Sequence, residues 1–165
     1  MADVLTSEQR SRCMAAIKGK DTKPEMIVRK YLFSRGLRFR VQVRKLPGTP
    51  DIVLPKYKTV IVVNGCFWHG HEACKYFRLP KSNVDFWQTK ITRNIERDAE
   101  TEAELMRLGW KVIRIWECEI KAVTGRRDRL KNLYNSIVDP DLYSEENTEQ
   151  VIAAEPETSY GKNQL

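Results

Sequence analysis

The 165-residue chain is 41% hydrophobic and 31% charged, a balance that suits one soluble domain with a modest core and excludes two full ones. No run approaches the roughly eighteen consecutive apolar residues of a membrane span, and residues 1–10 lack the apolar stretch of a secretory signal, so a cytoplasmic protein with no membrane partner is expected. The net charge is +7, yet residues 140–165 hold Asp141, Glu145, Glu146, Glu149, Glu155 and Glu157 against Lys162 alone, a tail of −5 that leaves +12 on residues 1–139; a body this basic points to nucleic acid through counterion release.

Taken in chain order, Ser7 is expected to cap a short helix to about residue 18 that carries Arg10, Arg12, Lys18 and Lys20, a basic arm over residues 1–20 able to lie on phosphates. Thr22 followed by Glu25 has the form of a capping box, and Ile27, Val28, Tyr31 and Leu32 recur at helical spacing until Gly36. Leu37, Phe39, Val41 and Val43 alternate with polar residues and predict a half-buried strand before the Leu46-Pro47-Gly48-Thr49-Pro50 turn. A further strand starts at Asp51, and after a turn over 55–58 the β-branched run 59–63 reads as a covered central strand ended by Asn64 and Gly65.

Downstream, Ser82 with Asp85 signals a helix start, and Phe86, Ile91, Ile95, Leu105 and Met106 fit one long helix stopped at Gly109. Residues 110–116 read as another strand with Glu117 and Cys118 at its end, where sites gather in helix-covered sheets. A last helix is expected over about 125–138, and the acidic residues 140–165 read as a disordered or loosely docked tail. The whole is an α/β chain, with a body at 21–139 between the arm and the tail.

Both histidines of the chain lie in Cys66-Phe67-Trp68-His69-Gly70-His71-Glu72-Ala73-Cys74. Thiolate and imidazole are the donors zinc prefers, and Cys66, His71 and Cys74 can wrap one ion if a fourth group arrives, for which Cys118 is available. Spacing leaves two alternatives open: buried reduced cysteines beside a solvent-facing histidine, and His69 in place of His71. Cys13 fits no such cluster.

The segments Asp21-Thr22-Lys23-Pro24-Glu25, Leu46-Pro47-Gly48-Thr49-Pro50-Asp51, Gly65-Cys66-Phe67-Trp68-His69 and Trp116-Glu117-Cys118 resemble the very short patch repair (Vsr) endonuclease family. Phe86-Trp87, Lys90-Ile91, Asn94, Arg97-Asp98 and Gly109-Trp110 stand in that family's order, so the resemblance covers roughly residues 1–137. It implies a restriction-endonuclease-like α/β/α core around a central mixed sheet, with a basic N-terminal helix and a structural zinc site. It also implies a Mg²⁺-dependent DNA endonuclease that nicks 5′ of the thymine in a T·G mismatch left by 5-methylcytosine deamination.

By the same resemblance Asp51 is the magnesium aspartate, joined by the Val63 main-chain carbonyl, and His69 is the catalytic histidine. Glu25 acts through metal-bound water, while Cys66, His71, Cys74 and Cys118 hold zinc. Phe67, Trp68 and Trp87 are implied to wedge into the base stack at the mismatch; Met14, on the basic N-terminal helix, is read from its own position as an apolar wedge from the opposite groove. Read from the residues alone, Asp51 could cap a turn, Glu25 a helix, and Trp87 and Met14 could simply pack. Two positions depart from the family. Asn64 stands where its best-known members carry a histidine near the scissile phosphate; asparagine donates a hydrogen bond but cannot titrate, which puts more proton work on His69. Glu72-Ala73 makes the loop one residue longer than in some relatives.

The implied partners are mismatched duplex DNA, a mismatch-repair matchmaker protein and, functionally, a cytosine-5 methyltransferase. One active site suffices for one nick, so a monomer is expected, associated with the nucleoid when on DNA. Two other readings use the same features: a restriction-type nuclease on matched sites, against which the aromatic wedges argue, and a zinc-stapled DNA-binding module without catalysis.

Overall fold

A computed structural model describes residues 5–139. The acidic tail expected over 140–165 lies outside the described residues. In chain order the elements are α1 (Ser7–Ala15), α2 (Lys23–Ser34), β1 (Ile52–Leu54), a 3-10 turn (Pro55–Tyr57), β2 (Thr59–Asn64), α3 (Val84–Arg107), β3 (Lys111–Trp116), α4 (Glu117–Lys121) and α5 (Val123–Val138). No helix among the described residues is long and apolar enough to cross a membrane.

The sheet is mixed, in the order β1-β2-β3, with β1 antiparallel and β3 parallel to the central β2. A parallel partner needs a long crossover, and α3 supplies it. Alternation along the strands splits the interior in two. Ile52, Leu54, Ile61, Ile113 and Ile115 face α2, α4 and α5, where Val28, Leu32, Ile120, Leu130, Leu133 and Ile137, with Leu37 after α2, complete the larger cluster. Val53, Val60 and Val112 face the other way and meet Leu105 of α3 in a smaller one. The sheet is therefore covered on both faces, unequally.

Several local expectations are corrected. The cap of α1 is Thr6, not Ser7: its hydroxyl accepts from Gln9 N–H while the Gln9 side chain returns to Thr6 N–H, and the helix ends at Ala15. Thr22 precedes α2 but makes no side-chain cap; its hydroxyl donates to Glu25 Oε1 at 2.9 Å. No strand forms at 37–43. A single bridge joins Arg40 to Val53, and Gln42 at φ +52° turns the chain out of the extended region. Helix α3 starts after Asn83 at φ +52° rather than at a Ser82 cap. Of the residues expected to be its apolar face, Ile91 and Leu105 are buried, but Phe86, Ile95 and Met106 are exposed. In α5 the residues Thr124 and Gly125 are non-helical, so the regular helix begins beyond Gly125, as its sequence indicates.

Candidate active site

The sequence places Asp51 directly after the turn over 46–50, which two backbone bonds tie down: Leu46 N–H to Val43 O and Thr49 N–H to Leu46 O. Gly48 has φ +67°, and a Cβ there would sit 2.3 Å from the Thr101 methyl, so glycine lets the turn lie flat on α3. Asp51 then faces β2, where its Oδ2 accepts from Val63 N–H at 2.7 Å. Burial pushes this carboxyl up to about 6; the Val63 bond opposes the shift and the Glu25 charge adds to it. A carboxylate that the protein alone disfavours in its ionised form suits a site completed by a hard divalent cation.

Glu25, only 3% exposed, lines the same cleft of about 960 Å³ as Asp51, Val63, Asn64, His69 and Asp98. Its Oε2 accepts from Asp21 N–H at 3.0 Å and from Arg29 NH2 at 3.0 Å. His69 Nδ1 lies 2.5 Å from Asp98 Oδ2, both side chains being largely but not fully buried. With Nδ1–H donated to that carboxylate, the neutral ring keeps its lone pair on Nε2, the tautomer a general base needs. Asn64 ends β2 beside Trp116 of β3 and is buried on the cleft wall. Ile17, Lys18 and Gly19, which follow α1, also line the cleft, so the basic arm reaches it.

Beyond Gly65 the chain turns back, with His69 N–H donating to Gly65 O and His71 N–H to Cys66 O. The turns bring the Cys66, Cys74 and Cys118 sulfurs and a His71 ring nitrogen within 4.8 Å of one another. His71 Nδ1 is 3.5 Å from Cys118 Sγ, and the His71 ring stacks on Trp116 at 4.0 Å with 4° between planes. His71, not His69, joins the cysteines, and Cys13 is exposed on α1 outside the group. Burial drives the Cys66 thiol up to about 12 in the metal-free chain, so loading an ion there releases a proton.

Phe67 and Trp68 meet the start of α3. Ring centroids are 5.2 Å apart for Phe67–Trp68, 5.4 Å for Phe67–Trp87 and 5.9 Å for Trp68–Trp87. Phe86, 58% exposed, adds a fourth ring at 5.3 Å from Trp87, and Lys90 lies over Trp68, Phe86 and Trp87. Asn94 Nδ2 donates to Trp68 O at 2.9 Å, fixing the loop that carries both Trp68 and His69. Met14, 39% exposed, sits on α1 and not in this cluster.

Sequence reasoning left no role for Asp98, Asn94 or Arg29. The signals were there: Asn94 and Asp98 share a face of α3 at i,i+4, as do Glu25 and Arg29 on α2. Which loop residues such a face meets is a tertiary fact that spacing does not contain.

A family profile described as "DNA mismatch endonuclease Vsr" matches residues 2–75. The chain is 50% identical over 139 residues to the "Type II nicking enzyme V.NmeAIP" of Neisseria meningitidis serogroup A, covering 84% of this chain and 99% of that one. It is 45% identical over 133 residues to the "Type II nicking enzyme V.XorIIP" of Xanthomonas oryzae, with coverages of 81% and 97%. It is 44% identical over 121 residues to the "DNA mismatch endonuclease Vsr" of Escherichia coli, with coverages of 73% and 77%.

Proposed function

The chain belongs to the Vsr family of DNA mismatch endonucleases, and from that premise we propose that it nicks one DNA strand 5′ of the thymine in a T·G mismatch and depends on Mg²⁺ to do so. The observation that carries the reading is the cleft in which Asp51, Glu25 and the His69–Asp98 pair stand beside the aromatic cluster of Phe67, Trp68 and Trp87. The sheet with helices on both faces supports a restriction-endonuclease-like core.

Magnesium bound at the Asp51 carboxylate and the Val63 carbonyl would supply charge neutralisation at the scissile phosphate. His69, oriented through Nδ1 by Asp98, takes the proton of the attacking water at Nε2. Glu25 holds that water's environment from the α2 wall, and Asn64 donates a hydrogen bond toward the phosphate without titrating. The basic arm, with Arg10, Arg12, Lys18 and Lys20, lies along the backbone. Phe67, Trp68 and Trp87, with Met14 from the opposite groove, enter the stack where a mispair has already weakened it.

The second metal site fits zinc. Tetrahedral Zn–S bonds of about 2.3 Å separate ligand sulfurs by roughly 3.8 Å, a spacing that small side-chain adjustments reach from a cluster whose donor atoms all lie within 4.8 Å. Cys66, His71, Cys74 and Cys118 would hold it, tying the loop after β2 to the start of α4 and so steadying His69 and the rings from behind. On this reading the protein works as a cytoplasmic monomer on the nucleoid, alongside a cytosine-5 methyltransferase and a matchmaker protein.

The test is strand-resolved cleavage of end-labelled duplexes that differ only in T·G or T·A at the centre of several methyltransferase-type contexts, with and without Mg²⁺. A magnesium-dependent nick 5′ of the mismatched thymine is expected. Equal cutting of T·A would replace the reading with a matched-site nuclease, and no cutting by folded, zinc-loaded protein would leave a binding module.

A further inference from the structure

Arginine is rarely buried unless its fork is filled. Arg29 is 8% exposed, and Glu25, its neighbour one helical turn earlier, is 3% exposed. The two ends of the guanidinium are both used on carboxylates: NH2 donates to Glu25 Oε2 at 3.0 Å and NH1 to Asp21 Oδ1 at 2.5 Å, with Met26 Sδ at 3.6 Å. Its Nε is buried with no acceptor among the described residues. A side chain seated by packing alone has no reason to leave that donor orphaned, so the carboxylate pair sets the geometry.

Glu25 is correspondingly immobilised. Oε1 takes the Thr22 hydroxyl at 2.9 Å, and Oε2 takes both Asp21 N–H and Arg29. Asp21 itself stands at φ +53°, an uncommon backbone for an aspartate, and it aims its N–H at Glu25 and its carboxylate at Arg29. Asp21, Glu25 and Asp51 are among the acidic residues that line the cleft, and Arg29 is the cation buried against the first two.

We propose that Arg29 is a positioning residue for the nicking reaction, holding Glu25 in its working orientation and balancing the charge that Asp21, Glu25 and Asp51 gather in the cleft. The proposal rests on the nicking reading given above. Arginine has the two parallel donors this needs; lysine would keep the charge and lose the fork.

The experiment compares full-length, zinc-loaded Arg29→Met, Arg29→Lys, Glu25→Gln and the Glu25→Gln/Arg29→Met double variant in single-turnover nicking of a T·G duplex over a Mg²⁺ series. Mn²⁺ binding, followed by electron paramagnetic resonance, gives a readout free of turnover, and near-ultraviolet circular dichroism sets the folded fraction. Arg29→Met is expected to lower the saturated rate by about 10–100-fold and to bind Mn²⁺ more tightly, because a cation has left the wall behind Asp21 and Glu25. The double variant should be no slower than Glu25→Gln alone to within about twofold, since both substitutions break one interaction. If Arg29→Met folds poorly, Arg29→Lys carries the test: a reduced saturated rate with the parent's Mn²⁺ affinity is expected.

Rates within about twofold of the parent for the folded Arg29 variants, or losses that multiply in the double variant, would overturn the proposal. So would a loss that follows the unfolded fraction with Mn²⁺ affinity unchanged in Arg29→Met. A parent chain that nicks no T·G duplex sinks the nicking reading instead, and the Mn²⁺ affinities still judge the charge balance.

Discussion

The two faces of one three-stranded sheet differ in what they hold. Toward α2, α4 and α5 the strands contribute Ile52, Leu54, Ile61, Ile113 and Ile115 to a cluster of twelve buried apolar residues. Toward α3 they present Val53, Val60 and Val112 to a cluster with one further buried member, Leu105, and then give way to Asn64, Arg114 and Trp116. The cleft opens on this second face. Because burial of apolar area carries most of the stability, the first face can keep the sheet rigid while the second holds carboxylates, a histidine and aromatic rings along a cleft.

Replacing groups on each face should separate the two. His69→Ala is expected to lower nicking of a T·G duplex by about 10²–10⁴-fold, with its thermal unfolding and mismatch binding close to the parent's. Ile61→Ala, at the centre of the larger cluster, should cost about 2–5 kcal/mol in denaturant unfolding while the folded fraction nicks normally. A His69→Ala protein that unfolds early would mean the cleft is part of the scaffold, and the contrast between faces would collapse.

Cys118→Ser tests the join between them, since Cys118 lies where β3 passes into α4. Loss of zinc from about one ion per chain to well below it is expected by metal analysis, with a lower unfolding temperature. Zinc content that stays at the parent level would remove Cys118 from the ligand set.

The smallest effect is one of pH. The folded Asp51 carboxyl is raised to about 6 from an ordinary value of 3.8, chiefly by burial. Between those values the native protein binds a proton that the unfolded chain has released, so the parent loses stability as pH rises through the window. Asp51→Asn does not titrate. In magnesium-free, zinc-loaded protein it should be more stable than the parent by about 1–2 kcal/mol above pH 7, an advantage that vanishes below pH 4, while nicking is lost. A substitution that stabilises and inactivates together marks a carboxylate held in place at the expense of the fold. Equal stability across the range would show that the cleft solvates Asp51 fully.

Much of this was legible in the chain. Strand β2 was, because a run of β-branched residues has few other homes, and so was α2, because Val28 and Leu32 fall one turn apart and both end fully buried. Alternation alone misled at 37–43: the apolar spacing is that of a strand, but only Arg40 finds a partner and Gln42 breaks the extension. Periodicity also overran on α3, whose length exceeds the sheet it covers, so that Phe86 and Met106 at its two ends meet solvent. Of the residues named by family resemblance, Glu25, Asp51, Val63, Asn64, Trp68 and His69 line the cleft while Met14, Phe67 and Trp87 do not, and His71 rather than His69 stands among the cysteines. Asp98 was quoted only as part of the family's order, without a role, and Arg29 was not singled out. Asp98 serves a histidine 29 positions away, and Arg29 has an ordinary i,i+4 spacing from Glu25 that occurs on countless solvent-facing helices.

Gly70 separates two imidazoles with different partners. At φ +61°, with Ile95 and Ile91 of α3 so near that a Cβ would meet them at 2.6 Å and 3.0 Å, it turns His69 toward Asp98 and His71 toward Cys118 within three residues. Residues 66–74 therefore behave as one heritable block. Chimaeras between relatives will tolerate a crossover on either side of that block more readily than inside it, because a junction within it would ask one tight bend to serve two parents' cysteine–histidine loops and two parents' helices at once.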